Sequence, residues 1–84
     1  MSFEIIYSKD SIKQLKKLTN IMRKRILLSL ERIRIRPYPH VKKLVSSPYF
    51  RLRVGDYRII LDIVDNKLQI LVIELGHRKN IYKE

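Results

Sequence analysis

Residues 49–58 read Tyr-Phe-Arg-Leu-Arg-Val-Gly-Asp-Tyr-Arg. Phe50, Leu52 and Val54 alternate with Arg51 and Arg53, the period of a strand with one buried face. Gly55-Asp56 reads as a two-residue hairpin turn, because glycine takes the positive φ that such turns require. The return strand then opens at Tyr57, so Val54 pairs with Tyr57, Arg53 with Arg58 and Arg51 with Ile60. Cross-strand partners share a face, which puts Arg51, Arg53 and Arg58 on one side of the sheet. Like charges set opposite each other destabilise a sheet. Guanidinium groups gathered this way call for an anion, and phosphate suits their planar forks. The alternative is a solvated arginine face with ion-pair partners elsewhere, although few acids lie nearby in sequence.

Downstream, Tyr57 to Val64 continues as a second strand, and Asp65-Asn66 signals another hairpin into Lys67 to Leu75. Ile59, Leu61 and Ile63 then face the core with Leu68, Ile70 and Val72. The other face sets Arg58, Ile60 and Asp62 against Ile73, Leu71 and Gln69, too apolar to be left wet. Another segment or a partner should cover part of it. Gly76 ends the third strand, and His77-Arg78-Lys79-Asn80-Ile81-Tyr82 follows. Histidine transfers protons near neutral pH, arginine neutralises a developing dianion, and tyrosine stacks on a base. That trio suits work on a phosphodiester, although tails with Lys and Tyr are common.

Upstream, Ser2 to Tyr7 is a short β-prone run with Phe3, Ile5 and Tyr7 on one face. Ser8 can cap a first helix with Asp10 in its first turn, and Ile12, Leu15 and Leu18 form its apolar stripe. Thr19-Asn20 interrupts, and a second helix from about Ile21 buries Met22, Ile26, Leu30 and Ile33 with Arg23, Lys24, Arg25 and Arg32 outward. Pro37 and Pro39 stop it. The connection 40–48 carries Lys42 and Lys43, which extend the basic surface, and Leu44, which should pin it to the core. His40 reads as a surface histidine. The result is an α+β fold: an N-terminal strand, a two-helix hairpin and a three-stranded antiparallel meander, with the helices packed on one face of the sheet. Residues 1–84 form one domain, since so short a chain has room for one small core.

Charge narrows the partners. Lys and Arg number 19 against 8 Asp and Glu, a formal net charge of +11, and nucleic acid is the commonest partner of such a field. An acidic protein is attracted equally. No lone basic amphipathic tail points to a membrane, and Met1-Ser2-Phe3-Glu4 lacks the basic start of a signal peptide, so the expected location is cytoplasmic. The chain has no cysteine, no carboxylate pair at metal-ligand spacing, no Gly-rich phosphate loop and no nucleophile elbow. Neither metal nor cofactor is expected. Metal-free cleavage of a nucleic acid favours RNA, whose own 2′-OH supplies the nucleophile.

The order of elements, with Lys43-Leu44, Arg51 to Arg58 and Gly76 to Tyr82, resembles the RelE/ParE toxin superfamily of toxin–antitoxin systems over essentially the whole chain. The RelE branch implies a ribosome-dependent endoribonuclease that cuts mRNA in the A site by 2′-OH attack and so inhibits translation. It implies a RelB-like antitoxin as partner, with operator DNA bound through that antitoxin. By position, Arg51 falls where RelE has a catalytic lysine, and Arg53 on a neighbouring basic position. Arg58 matches the arginine at the scissile phosphate, Arg78 the arginine after the last strand, and Tyr82 stands near the base-stacking tyrosine. His77 corresponds to a position where some relatives carry a catalytic histidine. The resemblance thus implies Arg51, Arg58, His77, Arg78 and Tyr82 as catalytic, with Lys42, Lys43, Arg53 and Lys79 on the RNA backbone. Arginine at position 51 departs from the pattern, because guanidinium stays protonated near neutrality. That shifts proton transfer toward His77. The ParE branch keeps the fold but poisons DNA gyrase, and a basic module that only binds antitoxin and nucleic acid is the other alternative.

Overall fold

The computed structural model describes residues 2–77. Its sheet is built from β1 (Glu4–Tyr7), β2 (Lys42–Lys43), β3 (Phe50–Val54), β4 (Tyr57–Val64) and β5 (Gln69–His77), in the spatial order β1-β5-β4-β3-β2. β1 runs parallel to β5, and the remaining pairs are antiparallel. Between β1 and β2 the chain forms α1 (Lys9–Lys16) and α2 (Asn20–Arg32). Both helices contribute to one core on a single face of the sheet. Leu15, Ile26, Leu30 and Ile33 meet Leu52, Val54, Ile59, Leu61, Ile63, Ile70, Val72 and Leu75 there.

Each helix starts on a side-chain cap, the hydroxyl of Ser8 accepting from Ser11 N at 3.0 Å and that of Thr19 from Met22 N at 3.2 Å. In α1 the buried column is Ser11 and Leu15, whereas Ile12 is exposed. Ser11 can be buried because its hydroxyl donates to Ser8 O at 2.8 Å. Arg23 does not simply face water. Its guanidinium donates to the carbonyls of Leu15, Lys16 and Leu18 and to Asn20 Oδ1, closing the end of α1 against the start of α2. In the connection after α2, Val41 rather than Leu44 packs against the core, and Lys42–Lys43 pairs with β3 as a fifth strand.

The first hairpin forms in the predicted register, with Phe50↔Leu61, Arg51↔Ile60, Leu52↔Ile59, Arg53↔Arg58 and Val54↔Tyr57 across Gly55 at φ +60°. The second does not. Asp65–Lys67 is a 3₁₀ turn followed by Leu68 in the left-handed region at φ 52°, so β5 starts at Gln69 instead of Lys67. Val64 therefore faces Gln69, two residues later than a tight Asp65-Asn66 turn would give. Ile60 pairs with Glu74 and Leu61 with Val72, leaving Ile73 as the extra residue of a β-bulge. Together these offsets carry β5 through to His77, past Gly76, where the sequence pattern places its end.

Candidate nucleic-acid interface

Register fixes which cations share a face. Arg53 stands opposite Arg58, and Arg51 stands between Ile60 on one side and Lys42 on the other. Lys42, Arg51, Arg53 and Arg58 thus project from the sheet face away from the helices. Arg51 and Arg58 are half-buried, while Lys42 and Arg53 are exposed. The Nε atom of Arg58 is shut off from solvent. Its partner on β5 is Gly76, which adds no side chain beside it. Ile60 lies in the middle of this face and is only 7% exposed. Guanidinium groups seated on a buried isoleucine lose part of their hydration, which strengthens their hold on an anion.

Lys43 belongs elsewhere. It pairs with Phe50, whose side chain is on the core side, and its ammonium sits 5.9 Å from the Phe50 ring centroid and donates to Ser47 O. Tyr38 packs edge-on against the same ring, with centroids 5.6 Å apart. The adjacent lysines 42 and 43 therefore split across the sheet, as neighbours on a strand must.

His77 is set apart from the arginines as well. It faces Tyr57 across the β4–β5 ladder, on the helix side, with ring centroids 5.5 Å apart and an interplanar angle of 76°. There it borders a cavity of about 330 Å³ beside Gln14, Lys17, Leu18 and Glu74. Without the bulge at Ile73, every residue from Glu74 to His77 would project from the opposite face. The predicted Arg78, Lys79 and Tyr82 lie outside the described residues.

Arg25 and Arg32, which the helical pattern turns outward, are not among the site residues the sequence nominates. They line a cleft of about 330 Å³ with Arg53 and Gly55 at the edge of the sheet. Their spacing along α2 is the available signal, since residues seven apart lie on one side of a helix. Among the described residues no three His, Cys, Asp or Glu side chains gather as a metal-ligand set, and no helix is long and apolar enough to cross a membrane.

Comparison with known proteins gives the architecture a lineage. The backbone superposes on a chain of the toxin-antitoxin complex RelBE2 from Mycobacterium tuberculosis with a TM-score of 0.85, covering 93% of each chain at 18% identity. For the archaeal RelE-RelB complex of Pyrococcus horikoshii OT3 the TM-score is 0.81 at 26% identity, over 93% of this chain and 97% of that one. The RelB-RelE antitoxin-toxin complex of Methanococcus jannaschii gives 0.73 at 30% identity, over 92% and 94%. A search of curated proteins returns no match. The family model for the ParE toxin of the type II toxin-antitoxin system, parDE, matches residues 5–82. Because that match spans nearly the whole chain, this protein belongs to the ParE toxin family, within the RelE/ParE superfamily.

Proposed function

We propose that this chain is a toxin that cuts mRNA in the ribosomal A site, held in check by a RelB-like antitoxin in a cytoplasmic type II pair. One observation carries the reading: Lys42, Arg51, Arg53 and Arg58 share one sheet face, with Arg51 and Arg58 half-buried against Ile60. In the proposed reaction the 2′-oxygen of the message attacks the adjacent phosphorus. The bond to the 5′-oxygen breaks, and a 2′,3′-cyclic phosphate remains. The proton of the 2′-OH passes to a base, and the departing 5′-oxygen takes one from an acid. Arg51 and Arg58 neutralise the charge that builds on the phosphoryl oxygens, which is usually where such a site lowers the barrier most. Lys42 and Arg53 hold flanking backbone. Arg78, Lys79 and Tyr82 keep the roles that family likeness gives them, on phosphate, backbone and base. His77, across the sheet beside Tyr57, is the weaker claimant to direct proton transfer.

The antitoxin follows from the solved relatives, which are toxin-antitoxin complexes. Half-buried Leu71 and Ile73, beside Ile60, offer it an apolar strip, and operator DNA is reached through it. A gyrase poison is the second reading, and the ParE family match favours it.

The test adds purified protein to programmed ribosomes with an open A site and maps the message by primer extension. Arg58→Ala should lose about 100-fold or more in cleavage rate, the scale of removing one oxyanion-stabilising donor. His77→Ala should lose less than roughly tenfold. Intact message under conditions that inhibit gyrase supercoiling would transfer the chain to the second reading.

A further inference from the structure

Arg53 belongs to two arginine groups. On the sheet face it stands opposite Arg58, yet it also bends round the hairpin, its Nε donating to Gly55 O at 3.4 Å. There it lines the edge cleft with Arg25, Ser29 and Arg32 of α2. Positions 25, 29 and 32 follow one another down a single side of the helix, so both α2 guanidinium groups overhang the same strip. Arg25 lies so close to the turn that a Cβ on Gly55 would come within 3.2 Å of its Nη1.

Among the described residues nothing acidic answers this cluster. No described Asp or Glu lines the cleft, and none of Arg25, Arg32 and Arg53 forms an ion pair with a described residue. Asp56, the other turn residue, is exposed and outside it. Arg23 and Arg34, by contrast, are engaged in structure, Arg23 on the carbonyls that end α1 and Arg34 on Phe3 O and Glu31. The cleft is also open from the side. β2 pairs with β3 only at Phe50 and Arg51, so the outer edge of Leu52–Val54 carries no strand among the described residues.

We infer that Arg25, Arg32 and Arg53 form a second phosphate-holding site, which anchors RNA backbone at the sheet edge away from the Arg51–Arg58 face. A carboxylate is filled by one guanidinium fork, whereas a phosphate presents oxygens on several sides and accepts forks from several arginines. A cleft with three arginines and no acid among the described residues matches the second ligand. Its use for RNA rests on the nuclease reading above. Through Arg53 the two arginine groups are continuous around the edge of β3, a path that a single strand can follow.

The experiment measures binding of a short fluorescent single-stranded RNA against salt concentration. It compares the parent, Arg25→Gln/Arg32→Gln, and a control Lys9→Gln/Lys13→Gln that removes equal charge from exposed α1 positions. Losing two phosphate contacts should flatten the log–log salt slope by about 1.4. Affinity in physiological salt should fall about tenfold, while the control changes each by less than half as much. The substituted side chains are exposed, so melting temperatures should match the parent. Equal effects in both variants, an unchanged Arg25→Gln/Arg32→Gln slope, or a parent that binds no RNA would each overturn the site. Loss of polyglutamate binding with an intact RNA slope would make it an acidic-peptide site and overturn it too. Absent message cleavage with a flattened slope would sink the nuclease reading and leave the anchor standing.

Discussion

The two turns of the meander join neighbouring strands by different physics. Gly55 closes the β3–β4 turn from within, since φ +60° at the first central residue matches the twist of the strands and only glycine takes it without strain. The β4–β5 turn is held from outside. Leu68 adopts φ 52° although leucine disfavours it, and its carbonyl accepts from Glu4 N at 2.8 Å. Asp65, which opens that turn, receives both contacts of the Tyr38 hydroxyl, at 2.7 and 2.8 Å. The bulge above it is braced likewise. Val72 O accepts from Ser8 N at 3.0 Å, Ile73 O from Ser8 Oγ at 2.6 Å, and Gln14 Oε1 accepts from Leu75 N at 2.7 Å. The first turn is specified by two adjacent residues. The second is held by Glu4 and Tyr38, both far from it along the chain.

Deleting Ile73 tests that difference most severely. Without the extra residue the ladder becomes regular, with Glu74 and Leu75 still opposite Ile60 and Ile59, so what is lost is the half-buried Ile73 side chain and the bond from Ser8 Oγ to Ile73 O. The expected loss is about 2 kcal/mol, from one half-buried side chain and one hydrogen bond. For a chain this size that lowers the melting temperature by roughly 8–16 °C, readable by circular dichroism. A deletion variant that melts like the parent would show that the bulge and its Ser8 brace add nothing to the stability of β5.

The same contrast explains what is legible in the chain itself. The first hairpin, the core positions Ile26, Leu30 and Ile33, and the shared face of Arg51, Arg53 and Arg58 follow from local period and one glycine. The register of β5 does not. A left-handed leucine carries no sequence mark, and the bulge is held by Ser8 and Gln14, more than sixty residues away. That offset is why His77 emerges beside Tyr57 rather than beyond the strand. Lys42–Lys43 reads as connection because lysine is a poor strand former, although lysine suits an exposed sheet edge. Ser11 displaces Ile12 from the buried column because its hydroxyl finds a backbone acceptor, which a hydropathy pattern does not count.

A smaller effect separates the turns directly. Gly55→Ala should destabilise by about 1–2 kcal/mol, the cost of forcing a Cβ into the left-handed region. Leu68→Gly relieves the same strain but gives up a side chain partly packed on the core, so it should stay within about 0.5 kcal/mol of the parent. Urea unfolding of both variants measures the pair. Equal losses would mean that Gly55 has no special part in closing its turn.

The smallest effect concerns the brace on the second turn. The Asp65 carboxylate accepting from Tyr38, together with some desolvation and the nearby negative charge, pushes the Tyr38 phenol up to about 12. The folded chain therefore keeps a proton that the unfolded chain gives up near pH 10. Its contribution is fully present below about pH 10 and drains away as pH rises toward 12. Tyr38 is 45% exposed, so the hydrogen bond competes with water and Tyr38→Phe should cost only about 0.5 kcal/mol at neutral pH. That difference should vanish as pH rises from about 10 to 12, because ionisation breaks the same bond in the parent. A gap between parent and variant that persists through this range would assign the stabilisation to the ring contact with Phe50, and the second turn would then rest on packing instead of its hydroxyl brace.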